Sequence, residues 1–207
     1  MQLPKKKKIV FFGDSITQAA VNPGGFIQLL DTIFDKDGLG NKYELVGAGI
    51  SGNKVYDLFL RLENDVIAEK PSVVVIFIGV NDVWHKRSLG TGTDSDKFIQ
   101  FYAAIIKRLQ DQQCKIVICT PAVIGEKTDN SNELDGDLNQ YSNIIKDLAA
   151  KNNLPLVDLR KAFLSYNLAN NKENKESGIL TMDRVHLNDN GNQLVANEMW
   201  QVLKTLK

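Results

Sequence analysis

Two histidines occur in the chain, His85 and His186, and each has an aspartate three positions before it, Asp82 and Asp183. Histidine ordinarily titrates near neutrality, so it can take up a proton and return it under physiological conditions. At a spacing of three within a turn, a carboxylate and an imidazole can meet. The carboxylate then fixes the ring's tautomer and stabilises the imidazolium that forms. Such a base suits a serine, whose hydroxyl is a poor nucleophile until its proton is removed. Ser15, within Gly13-Asp14-Ser15-Ile16-Thr17, is one such hydroxyl.

The chain alternates short apolar runs with amphipathic stretches. Strands are predicted at Lys8–Phe12, Tyr43–Val46, Val73–Ile78, Ile116–Cys119 and Leu156–Val157. The six-residue run Val73–Ile78 is apolar throughout, as a strand buried on both faces should be. Helical spacing marks Phe26–Phe34, Phe98–Leu109, Leu138–Ala150 and Arg160–Leu168. It also places Val55, Leu58, Phe59, Leu62, Val66 and Ile67 on one helical face. Asn188 or Asp189 can cap a last helix carrying Leu194, Val195, Met199, Val202 and Leu203. This alternation predicts an α/β fold with a mainly parallel, five-stranded sheet covered on both sides. The polar stretches Gly125–Gly136 and Asn170–Gly178 are expected to be surface loops. With 207 residues and no repeat or linker, residues 1–207 are expected to form one domain.

In such sheets ligands bind beyond the carboxyl ends of the strands. The segments that follow the first three strands are Gly13-Asp14-Ser15-Ile16-Thr17, Gly49-Ile50-Ser51-Gly52-Asn53 and Gly79-Val80-Asn81-Asp82. Asp183-Arg184-Val185-His186 precedes the last helix. Each has a bland explanation. Asp14 or Ser15 can cap a helix, the glycines can serve positive φ, and Asn81-Asp82 can form a turn. Asp183 and His186 can be a surface ion pair. It is their joint arrival at strand ends that points to a site.

Together these four segments resemble the sequence blocks of the SGNH (GDSL-like) hydrolases, with a similarity running from position 9 to about 200. Many members carry Asn where Gly47 stands, a difference that bears on a local turn contact. The resemblance implies a flavodoxin-like, three-layer α/β/α sandwich and ester hydrolysis through an acyl-enzyme, with no cofactor and no metal. By position it makes Ser15 the nucleophile, His186 the base and Asp183 its partner, with Ser15, Gly52 and Asn81 forming the oxyanion hole. It also decides between the two Asp–His pairs in favour of His186. Trp84 and His85 are then expected to bind substrate at the rim.

The chemistry is coherent on its own terms. The backbone N–H groups of Ser15 and Gly52 and the Asn81 amide could supply three oxyanion donors, each typically worth about 3–4 kcal/mol in the transition state. The G-x-S-x-G elbow of the α/β-hydrolases is absent, and Asp14 is expected to brace the nucleophile turn without acting as a second base. The expected substrate is a small ester, with a short acyl group such as acetyl on an alcohol or a sugar. Two other classes stand beside this one. A phosphate- or nucleotide-binding module would use the Gly-rich turns, but no P-loop or G-x-G-x-x-G occurs. A metal-dependent hydrolase could use Asp14, Asn81, Asp82, Asp183 and His186, although two histidines without a cysteine cluster make a zinc site hard to build.

Composition narrows the partners. Lys plus Arg and Asp plus Glu balance at 25 each, so there is no overall field to draw in nucleic acid or an anionic membrane. The basic run Lys5–Lys8 is expected to be a solvated lead-in to the first strand. No apolar run approaches the roughly 20 residues of a membrane span, and no signal-peptide pattern is expected in Met1–Lys8. The chain is thus expected not to insert stably in a membrane, being cytoplasmic or secreted after removal of a leader. Cys114 and Cys119 flank one strand, roughly 16 Å apart if extended, too far for a disulfide. Both are expected to be free.

Overall fold

The computed structural model describes residues 6–206; Met1–Lys5 and Lys207, and with them part of the basic run and of the lead-in, lie outside the described residues. Five strands form one sheet: β1 (Lys7–Gly13), β2 (Tyr43–Gly49), β3 (Val73–Phe77), β4 (Lys115–Cys119) and β5 (Leu156–Val157). Their order is β2-β1-β3-β4-β5, and every pairing is parallel. This is the order of a flavodoxin-like sheet, the fold that the family resemblance implies, with the switch point between β1 and β3. The five residues of β3 are all buried, as their unbroken apolar run requires.

The helices are α1 (Ser15–Ala19), α2 (Phe26–Lys36), α3 (Val55–Asp65), α4 (Val80–Ser88), α5 (Ser95–Asp111), α6 (Asp135–Asn152), α7 (Leu159–Asn170) and α8 (Asp189–Leu203). α2 and α7 pack on α8, while α3 and α6 pack on α5. These two groups cover the sheet as the outer layers of the sandwich. α2 buries Phe26, Ile27, Leu30 and Phe34, the spacing of one helical face. α8 starts at Asn188, whose side chain accepts a hydrogen bond from the Gly191 N–H.

Four local expectations are corrected. β2 continues through Gly47 to Gly49, so Gly47 is a strand residue opposite Phe11 and not part of a turn. Residues 80–88 form a helix where only a turn was expected. Phe59 does not join the inner face of α3: it is 40% exposed and lies against the Phe101 ring at 5.6 Å. The stretch Gly125–Gly136 is not a surface loop throughout, because Glu126, Asn132 and Leu134 are buried within it. Cys114 and Cys119 are both free thiols, and burial pushes both pKa values up. Lys8 pairs with Glu69 at the start of β1.

Candidate active site

β1 ends at Gly13, and the chain turns directly into α1. Asp14 caps this helix, its Oδ1 accepting from the Ile16 N–H at 3.0 Å. The cap places Ser15 in the first turn of α1, where backbone N–H groups lack intrahelical acceptors. Asp14 is only 2% exposed. Burial pushes its carboxyl up to about 7, against the pull of the Ile16 N–H. It braces the turn as the sequence suggested.

From the far end of the chain, an antiparallel bridge between Thr181 and Leu187 closes a short loop. The Met182 N–H donates to the His186 carbonyl at 2.7 Å across it. Within the loop, Asp183 Oδ1 accepts from the backbone N–H groups of Val185 (3.2 Å) and His186 (2.8 Å). Its Oδ2 lies 2.7 Å from His186 Nδ1. The other ring nitrogen, Nε2, lies 2.9 Å from Ser15 Oγ. Burial raises the Asp183 carboxyl, but the His186 N–H, the His186 ring and the Val185 N–H outweigh it and hold the group below its ordinary value. A hydroxyl, an imidazole and an ionised carboxylate thus form one hydrogen-bonded line, with Ser15 and His186 171 positions apart in the chain.

The donors expected for an oxyanion stand on the neighbouring strand ends. Gly52 follows β2 with φ +77°, a conformation that favours glycine. A Cβ built there would have the His85 ring as its nearest neighbour, 3.9 Å away. Asn81 is buried in the first turn of α4. Its Nδ2 donates to the Asn53 carbonyl at 3.1 Å, which fixes the amide plane; a primary amide carries a second N–H.

The second Asp–His pair does not form. Asp82 is buried and its Oδ1 accepts from the Val55 N–H at 3.1 Å, at the start of α3. Burial pushes its carboxyl up to about 6, against the Val55 N–H and the charge of Lys54. His85 instead faces Gly52, and its pKa is lowered by burial and by Lys54. Trp84 sets its ring edgewise to His186, with centroids 6.5 Å apart, and lies 5.6 Å from the His85 ring. Trp84 therefore lies beside His186, and His85 beside Gly52.

Two basic residues in this region were not singled out from the sequence. Lys54 is buried and its Nζ donates to the Gly52 carbonyl at 2.8 Å. Arg61 donates from Nη2 to the carbonyls of Gly13 (2.7 Å) and Ala48 (2.9 Å). Its Nε donates to Asn53 Oδ1 at 2.7 Å and its Nη1 to Asp65 at 2.8 Å. The guanidinium also lies over the Phe12 ring, 4.5 Å from its centroid. One side chain thereby ties the ends of β1 and β2 to the loop that carries Gly52. Among the described residues, no group of three or more His, Cys, Asp or Glu side chains is placed to hold a metal ion.

A flavodoxin-like sheet with a serine after its first strand and an Asp-x-x-His loop before its last helix defines the SGNH class of carboxylic ester hydrolase. The chain belongs to the GDSL-like lipase/acylhydrolase family, whose model matches residues 11–194. It is similar to an acetylxylan esterase of Geobacillus stearothermophilus, with 30% identity over 95% of this chain and 93% of that protein. The crystal structure of an acetyl xylan esterase, AlAXEase, shares 62% identity and a TM-score of 0.92, covering 94% of this chain and 98% of the other. Axe2, an acetylxylan esterase from Geobacillus stearothermophilus, aligns with TM-score 0.81 at 27% identity over 98% of this chain and 96% of its own. The protein is a serine esterase, and the phosphate-binding and metal-hydrolase classes are not favoured. No helix among the described residues is long and apolar enough to cross a membrane.

Proposed function

We propose that Ser15, His186 and Asp183 are the catalytic triad of an esterase acting on acetyl and similarly short acyl groups carried by small alcohols or carbohydrates. The observation that carries this reading is the line Ser15 Oγ–His186 Nε2–Asp183 Oδ2, with links of 2.9 and 2.7 Å. Ser15 Oγ attacks the ester carbonyl carbon while His186 Nε2 takes the hydroxyl proton. The carbonyl oxygen becomes an oxyanion facing the N–H groups of Ser15 and Gly52 and the free N–H of Asn81. Collapse breaks the bond to the alcohol, which leaves with the proton from His186. Water then loses a proton to His186 and attacks the acyl-enzyme; the carboxylic acid departs and Ser15 regains its proton. Asp183 holds the ring in the tautomer that keeps Nε2 free to accept.

The acyl preference is supported by two observations. Trp84 stands edgewise to His186 and against His85, which faces Gly52, so we assign these two rings to the wall that meets the acyl group. The similar proteins are themselves named acetylxylan esterases, and catalytic mutants of Axe2 carry alanine in place of a serine or a histidine. The test has two parts. An organophosphonate should add to Ser15, seen by peptide mass spectrometry, and Ser15→Ala should be folded and inactive. Across p-nitrophenyl esters and acetylated xylooligosaccharides, turnover should favour acetyl; a preference for acyl chains of eight carbons or more would overturn the substrate assignment.

A further inference from the structure

The loop bearing Asp183 and His186 lies on the surface, and the Asp183 side chain is 52% exposed. A loop of that kind needs an anchor to keep an imidazole in line with a serine, since small misplacements of reacting groups carry large rate penalties. The anchor lies on another segment. Beyond β4 the chain runs on through buried Ala122, Val123 and Ile124 to Glu126, which is 1% exposed. The Glu126 carboxylate accepts three successive backbone N–H groups: Ile179 at 2.8 Å on Oε2, and Leu180 at 2.6 Å and Thr181 at 2.8 Å on Oε1. The last of these donors is two residues before Asp183. The residue beside it, Gly125, donates its N–H to the Arg184 carbonyl at 2.9 Å. Adjacent residues thus hold both the entrance and the tip of the loop.

We propose that Glu126 is a positioning residue for ester hydrolysis, acting through Asp183 and His186. A buried carboxylate with three N–H donors is fixed in orientation and in turn fixes the peptide planes that it faces. The Thr181–Leu187 bridge and the Met182 N–H to His186 carbonyl bond make residues 181–187 a closed unit. A shift at 179–181 therefore reaches the imidazole. The backbone of Glu126 is itself held from behind, its N–H donating to the Glu176 carbonyl at 3.0 Å and its carbonyl accepting from Asn171 Nδ2 at 2.7 Å. The acid is held at both its backbone groups on the segment that follows β4, and the loop rests on it.

The inference rests on the triad assigned above, and the experiment separates the two. Glu126→Gln keeps the shape but sets an NH2 against one set of N–H donors. With p-nitrophenyl acetate, kcat should fall at least tenfold while KM stays within twofold of the native value. The acid limb of the kcat profile should also move to lower pH, because an imidazole less well held by Asp183 is protonated less readily. Unchanged kcat, a change confined to KM, or a lower kcat with the acid limb unmoved would each overturn the proposal. Should Glu126→Gln not be recovered folded, Glu126→Asp retains the charge one methylene short; it should show a smaller loss of kcat with the same movement of the limb, and native kcat would overturn the proposal. His186→Ala is measured alongside. An active His186→Ala would sink the triad, whereas an inactive one beside a fully active Glu126→Gln sinks the role of Glu126 alone.

Discussion

Arg61 and Gly13 meet at 2.7 Å, guanidinium to carbonyl, two residues before the serine proposed to attack the substrate. The same nitrogen reaches Ala48 on the adjacent strand end, and Nε reaches Asn53. Arg61→Lys should therefore behave as a loss and not as a conservative change, because a lysine cannot reproduce the planar fork. Hydrogen bonds of a charged group are each worth about 1.5–3 kcal/mol. A lower melting temperature and a reduced kcat are expected together in calorimetry and steady-state assays; native values of both would refute the clamp.

Asn81→Ala tests the oxyanion hole. The amide is buried and is held by the Asn53 carbonyl, so the donor is in place before substrate arrives. Losing one such donor costs about 10²–10³ in kcat. Little change in KM should accompany that loss, since the oxyanion forms only on the way to products. A drop below tenfold would remove Asn81 from the hole.

Gly52→Ala separates space from backbone conformation. A methyl group there has its nearest neighbour at 3.9 Å, so nothing collides, but φ is +77°. A left-handed conformation costs a non-glycine residue roughly 1–2 kcal/mol. The variant should be measurably less stable in denaturant and slower in turnover, with the Gly52 N–H displaced. Native stability would show that the loop relaxes without cost.

The two histidines should respond differently to replacement. His186→Ala should reduce turnover by several orders of magnitude, as removal of a triad base does. His85→Ala should leave the base intact and change KM and the ratio of acetyl to butyryl ester turnover, because His85 borders Gly52 and Trp84. Equal losses of kcat in the two variants would contradict the division of roles.

Asp14 makes the pH dependence of stability specific. Burial raises its pKa to about 7, so the native state holds this proton more tightly than the unfolded chain does. Between the ordinary carboxylate value and about 7, the Asp14 contribution to stability is lost as pH rises. Asp14→Asn keeps an acceptor for the Ile16 N–H and removes the titration. In thermal melts from acid to neutral pH the variant should show a flatter curve than the native protein and a relative gain toward neutrality. Parallel curves would mean that Asp14 does not titrate in this range.

The residues that follow the strands were legible in the sequence because each lies beside a local signal: an apolar run that stops, a glycine, and then a polar or ionisable group. Ser15, Gly52 and Asn81 have such neighbours, whereas Asp183 and His186 were marked by the spacing of three between a carboxylate and an imidazole ahead of the last helix. The supporting residues had none. Glu126 lies in a polar stretch, and its partner Leu180 is 54 positions away; only the folded chain shows that this carboxylate is buried. Arg61 reads as a solvated residue on an amphipathic helix, and its acceptors are backbone carbonyls, which carry no sequence signature. α4 escaped for a related reason. Its buried residues Val80, Asn81, Asp82 and Val83 are consecutive and half polar, so no helical period marks them. Phe59 was misplaced because helical spacing gives a face but not its width, and at the margin of α3 a second aromatic covers it in place of the sheet.

The only imidazoles in the chain, His85 and His186, stand at the same cleft. Isotopic labelling of histidine alone would thus give two magnetic resonance signals, both from the reactive region and free of background from the rest of the molecule. Ligand docking, acylation of Ser15 and slow rearrangement of either wall could each be followed in solution on the unmodified enzyme.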